Sequence, residues 1–158
     1  MIGPTEARRA ERTRVAGLSV RTSNADESNP ATGRIPGLWN RFMEEDLSSQ
    51  LEHNGAFGPT IAAYHNYASD VSGEYRLLVG REIPIGTGIP AELDSVEIPA
   101  GRYFLFTFTG EIPGVVIEGW QQVWEYFAMP ESAERAYTVD LEVYRGDGTG
   151  VEMWIAVR

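Results

Sequence analysis

Two stretches of this sequence carry apolar residues at helical spacing, and each holds the same place in a repeated order of elements. Leu38, Trp39, Phe42, Met43, Leu47 and Leu51 form one stripe, entered at Pro36 and ended at Asn54-Gly55. Val116, Ile117, Trp120, Val123, Trp124 and Phe127 form the other, entered at Pro113. Segments of strand character surround them. Residues 13–22 precede the first helix, and 60–69 and 73–83 follow it. Residues 95–110, bent at Pro99-Ala100-Gly101, precede the second helix, and 135–145 and 150–158 follow it. The runs 23–37 and 83–94 are rich in turn residues and read as loops. The order is strand–helix–strand–strand, twice. The expected fold is therefore α+β: a tandem β-α-β-β repeat with pseudo-twofold symmetry, an antiparallel sheet and two amphipathic helices. A central ligand groove is expected where the halves meet. Residues 1–12 read as a flexible, frayed or weakly helical lead-in, leaving 13–158 as the domain.

The length of 158 residues suits one domain with a substantial core. No apolar run approaches the roughly 18 residues of a membrane helix. The first residues, MIGPTEARRAERTR, lack the apolar region of a secretory signal, so no membrane contact and a cytoplasmic location are expected. The absence of cysteine excludes disulfides, thiolate metal sites and a cysteine nucleophile. The absence of lysine excludes Schiff-base chemistry. The net charge is −10 and unevenly placed. Residues 1–21 hold five Arg against two Glu, whereas 22–158 hold eight Arg against 21 acids. A body that acidic repels phosphate backbones, so direct nucleic-acid binding is not expected. His53 and His65 could form a metal site only with carboxylates from distant segments, so none is expected. No G-x-S-x-G is present, and Gly86-Thr87-Gly88 lacks the remainder of a dinucleotide loop. No cofactor is implied and no catalytic residue is assigned.

The most informative short segment is YTVDLEVYR, residues 137–145. Strand geometry puts Val139, Leu141 and Val143 on one face, and Asp140, Glu142 and Tyr144 on the other. That second face is either a solvent-facing surface or the carboxylate floor of an aromatic cavity. In a cavity, Glu142 would attract a cation by on the order of 4 kcal/mol at 4 Å and an effective dielectric of 20, before desolvation. Aromatic faces would add roughly 0.5–2 kcal/mol each. Two acids on one strand face can also share a proton.

The segments GLSVRTSNADE, IPGLWNRF, AYHNYASDVSGEYRLLVG, VEIPAGRYFLFTFTG, EGWQQVWEYF and YTVDLEVYR, in this order, resemble the GyrI-like effector-binding domain. That domain is the ligand-binding part of AraC-type and MerR-type multidrug regulators, and it also occurs alone. The similarity runs from about residue 13 to 158 and suits the stand-alone type. It implies a tandem β-α-β-β fold whose central groove binds amphipathic, often cationic aromatic compounds. The acidic residue it implies in the last-but-one strand matches Glu142. The aromatic positions it implies are Trp39, Trp120, Trp124, Tyr64, Tyr67, Tyr103 and Tyr144, although the tryptophans lie on stripes that core packing would also explain. Alternation along a strand sends Tyr64 and Tyr67 to opposite faces, so one at most is expected in the groove. Asn24 and Glu27, in the loop before the first helix, either cap that helix or close over a ligand.

The leading expectation is a stand-alone, non-catalytic effector-binding protein for cationic aromatic molecules. About twelve residues precede the domain and none follows, so the chain is expected either to sequester a toxic compound or to pass a ligand signal to a separate regulator protein. Two alternatives stay open. One is a hydrolase of reactive electrophiles of the cyclopropanoid type, with Glu142 orienting water and Tyr144 as the acid. The other is an acidic protein-interaction module.

Overall fold

The backbone alternates strand and helix in an order that doubles, and each half begins with one more strand than its apolar pattern shows. In the computed structural model, which describes residues 3–158, the first half runs β1 (Thr5–Arg9), β2 (Thr13–Ser23), α1 (Asn24–Glu27), α2 (Ile35–Glu44), α3 (Leu47–His53), β3 (Phe57–His65) and β4 (Glu74–Glu82). The second runs β5 (Asp94–Ile98), β6 (Gly101–Thr109), α4 (Gly114–Ala128), β7 (Val139–Tyr144) and β8 (Gly150–Ala156). All eight strands form one antiparallel sheet in the order β1-β6-β8-β7-β3-β4-β2-β5.

That order exchanges the leading strands. β1 pairs with β6 of the second half, and β5 pairs with β2 of the first. The single bent strand expected over 95–110 is therefore two strands on opposite sides of the sheet, separated by only Pro99 and Ala100. Proline cannot donate to a ladder, and Gly101 takes φ 136°, so the pairing stops here and the chain turns. A two-residue link can join opposite sides only if the sheet curls until they meet, so the sheet is a half-barrel. Val15, Ile61, Leu78, Tyr103 and Leu141 fill one face of it. The helices cover the other.

The lead-in expected over 1–12 is corrected in the same way. Thr5–Arg9 is a strand held by polar groups, not apolar ones: Glu6 pairs with Arg102 at 2.7 Å, and the Arg9 guanidinium lies 4.5 Å from the Trp154 ring centroid. Met1 and Ile2 lie outside the described residues. The loop expected over 23–37 contains α1, whose first turn is capped by Ser23 Oγ accepting from the Asp26 N–H at 3.1 Å.

The first helical stripe is two helices. Leu38 and Phe42, then Leu47 and Leu51, are i,i+4 pairs buried in one cluster with Leu77 and Val79. Phe42 to Leu47 is five residues, about 140° off the face of a continuous helix. Asp46 resolves this with φ 50°, which re-aims α3 so that its leucines reach the same core. α4 packs Val115, Trp120 and Val123 against Phe106, Met153 and Ile155 of β6 and β8.

Gly17 and Gly80 face each other across β2 and β4, where an added Cβ would meet carbonyl oxygens at 1.9 and 1.8 Å. Gly17→Ala is expected to destabilise the fold by about 2 kcal/mol, lowering the thermal midpoint by roughly 4–8 °C. Gly37→Ala, in open space on α2, should be neutral or stabilising. Equal melting temperatures for the two variants would contradict the close strand approach.

Candidate functional site

The site stands on β3 and β7, the two strands at the centre of the sheet. Alternation along β7 sends Val139 and Leu141 into the apolar cluster on the curled face and Asp140, Glu142 and Tyr144 to the helical side. The acidic face is covered, not solvated: Asp140 is 0% and Glu142 1% exposed. Directly across from Glu142 on β3 is Ala62, too small to block the space above the carboxylate.

Three neutral donors from three elements hold Glu142. Tyr64 Oη on β3 and Trp120 Nε1 on α4 each donate to Oε2 at 2.6 Å, and Tyr144 Oη on β7 donates to Oε1. Burial raises the Glu142 pKa, and these hydrogen bonds oppose that rise without cancelling it. Burial first, and then the Glu142 charge, raise the pKa of Tyr64 and Tyr144, so both hydroxyls remain protonated donors. Among the described residues no basic side chain forms an ion pair with Glu142.

Asp140 is satisfied separately. It accepts from Arg135 Nη2 at 2.8 Å, from Tyr67 Oη at 2.5 Å and from the Ala156 N–H at 2.8 Å. Burial works against the Arg135 charge, but Asp140 more than compensates and the arginine pKa is raised. Each acid therefore has its own donors.

Above this floor a cavity of about 810 Å³ opens between α2 and α4. α2 supplies Trp39 and Met43, α4 supplies Trp120 and Trp124, and the sheet side supplies Tyr64 and Tyr75. The rings brace one another edge to face: Trp39 and Tyr144 centroids are 5.1 Å apart, and Tyr64 and Trp120 centroids 5.0 Å. Trp124 is 38% exposed at the mouth, so an aromatic surface is open to an entering molecule.

Of the residues singled out from sequence, Glu142, Tyr144, Trp39, Trp120, Trp124, Tyr64, Tyr67, Asn24 and Glu27 line this cavity. Tyr64 and Tyr67 both do, contrary to the alternation argument. β3 ends at His65, and Asn66 takes φ 54°, which breaks the period of two and returns Tyr67 to the cavity side. Tyr103 is not at the site. It lies on the opposite face, 1% exposed, with its hydroxyl donating to the Pro99 carbonyl at 2.7 Å and its ring against Trp154. Asp140 sits behind the wall, and its partner Arg135 lines the cavity in its place.

Asn24 is not a cap. Its Nδ2 donates to the Val71 carbonyl at 3.0 Å and its Oδ1 accepts from Tyr75 Oη at 3.2 Å, tying α1 to the cavity rim. Glu27 does cap a helix, accepting from the Arg34 and Ile35 N–H groups at 2.7 and 3.2 Å. The sequence reading missed Tyr75, Met43 and Arg135. Met43 was legible as the i+4 neighbour of Trp39. Arg135 carried no local signal.

Among the described residues no three His, Asp or Glu side chains gather as metal ligands. No described helix is long and apolar enough to cross a membrane.

Residues 9–157 match the Cass2 family, described as integron-associated effector binding protein. A solved integron cassette protein from the mobile metagenome of Vibrio cholerae is similar, with a TM-score of 0.82 and 34% identity over 99% of this chain and 96% of that one. YobU of Bacillus subtilis (strain 168), named as a transcriptional regulator protein, is 34% identical over 132 residues, 83% of this chain and 80% of its own length. The structure of SAV2435 bound to tetraphenylphosphonium shares the fold, with a TM-score of 0.75 and 15% identity over 99% of this chain and 94% of that one.

Tyr144→Phe removes the donor to Glu142 Oε1. The variant is expected to lose about 1–2 kcal/mol at neutral pH, with the Glu142 titration moved further up. The loss should shrink in acid, where the carboxyl is protonated in wild type and variant alike. A carboxyl titration followed by NMR that is the same in both proteins would contradict the assignment.

Proposed function

The chain belongs to the Cass2 family of integron-associated effector-binding proteins, and from that premise we propose that its effector is an amphipathic, cationic aromatic small molecule. The observation that carries this reading is Glu142: a buried carboxylate at the floor of an aromatic cavity, held by neutral donors and, among the described residues, paired with no cation. Burial raises its pKa, so the ionised form is less favourable in the empty protein than in water. An organic cation supplies the missing counter-charge, and its rings replace water against Trp39, Trp120 and Trp124.

Such recognition tolerates many chemotypes, because a π-face and a charge impose less shape than a hydrogen-bond pattern does. Tetraphenylphosphonium, the ligand of SAV2435, is a lipophilic cation of this kind. The regulatory name of YobU supports a role in which occupancy of the cavity is sensed.

Binding is measurable through the tryptophans of the cavity wall. Glu142→Gln should weaken a cationic aromatic dye by at least about tenfold, while a neutral aromatic of similar size changes little. The variant's thermal midpoint at neutral pH should be unchanged or higher, since a costly buried charge is gone. Equal loss for the cationic and the neutral dye would remove Glu142 as the counter-ion.

A further inference from the structure

A buried arginine also reaches the cavity, and its surroundings hold it in place. Arg135 lines the wall with its side chain 6% exposed. Its Nη2 is committed to Asp140, and its guanidinium carbon lies 4.4 Å from the Tyr137 ring centroid and 6.0 Å from that of Trp120. Its Nη1 makes no hydrogen bond among the described residues, and its Nε is buried without a partner. Three other buried polar side-chain atoms share that state, Arg9 Nε, Thr13 Oγ1 and His65 Nε2, and none of those residues lines the cavity.

The backbone around this arginine is also unusual. Three described non-glycine residues have positive φ: Asp46, Asn66 and Tyr137. Two of them serve this cluster. Asn66 returns Tyr67 to Asp140, and Tyr137 at φ 53° carries the ring against Arg135; the Tyr67 and Tyr137 rings are 5.4 Å apart. Left-handed conformations at non-glycine residues persist where surrounding contacts enforce them, and they gather at ligand sites.

The geometry points to Arg135 as a second anchor, one that selects cationic aromatic ligands carrying a neutral carbonyl oxygen. A neutral acceptor suits the site because Asp140 already balances the guanidinium, so a ligand carboxylate would bring a negative charge that this ion pair leaves unbalanced. Asp140 and Glu142 are two residues apart on one strand face, so the acid that Arg135 pairs with stands roughly 7 Å along the strand from Glu142, about one aromatic ring. This inference rests on the cation reading of Glu142 and adds a specificity element to it.

The test uses two probes, benzyltriphenylphosphonium and its para-carboxamide, titrated by tryptophan fluorescence. The wild-type chain should bind the carboxamide about tenfold more tightly. Arg135→Lys keeps a cation for Asp140 but lacks the second terminal nitrogen, and Arg135→Met with Asp140→Asn removes the pair without stranding a charge. In both, the affinity ratio of the two probes should fall below about twofold, whatever change the parent probe itself shows. Glu142→Gln should weaken both probes by the same factor. Parent binding with no carboxamide preference in the wild type overturns the inference and leaves the cation reading standing, as does a preference that survives in both variants. Failure of both probes to bind the wild type overturns both. If either variant melts below the assay temperature, the wild-type ratio alone decides, with equal affinities counting against Arg135.

Discussion

A carboxylate taken out of water, with no counter-cation among the described residues, is the constraint around which this molecule is arranged. Glu142 is kept in place because three elements each send it one neutral donor, from Tyr64, Trp120 and Tyr144. Those donors satisfy the oxygens but leave the charge unbalanced, and the raised pKa records the deficit. Replacing the acid with an apolar residue would remove that cost. On the proposed reading a cationic effector balances Glu142, seated in the aromatic cavity of about 810 Å³ above it.

The doubled fold supplies the setting. Two helices on one side of a half-barrel leave a gap over the central strands, and the exchange of β1 and β5 closes the sheet from both sides. Symmetry stops at the floor, where Glu142 of β7 faces Ala62 of β3. A second acid there would set two like charges side by side and force one to stay protonated. Alanine instead leaves one charge and room for a ring above it. Asp140, the other acid on the face, is already matched by Arg135.

Much of this was legible in the sequence because it follows from periodicity. The two stripes placed α2 and α4, and alternation along YTVDLEVYR put Asp140, Glu142 and Tyr144 on one face. What escaped was what periodicity does not encode. Tyr67 returns to the cavity through one left-handed residue, Asn66, and no strand pattern announces that. Tyr103 was placed with the site aromatics by resemblance, whereas its strand parity sends it to the opposite core. β1 is held by an arginine over a tryptophan and by an ion pair, so a segment rich in Arg and Glu did not look like a strand. Arg135 lies in an irregular stretch, and only the tertiary fold brings it to Asp140.

The central claim, that Glu142 is the counter-charge for a cationic effector, is tested most directly by the pH dependence of affinity. Because burial raises its pKa above 4.5, Glu142 contributes stability that is full below the unfolded-state value and lost as pH rises through the folded-state value. A bound cation favours the ionised form, so binding should release a proton below that folded-state value. Affinity for an aromatic cation should therefore rise with pH through the Glu142 titration and level off above it, with a flat profile in Glu142→Gln and for a neutral aromatic. Parallel profiles for the cation and the neutral compound in the wild-type protein would contradict the claim.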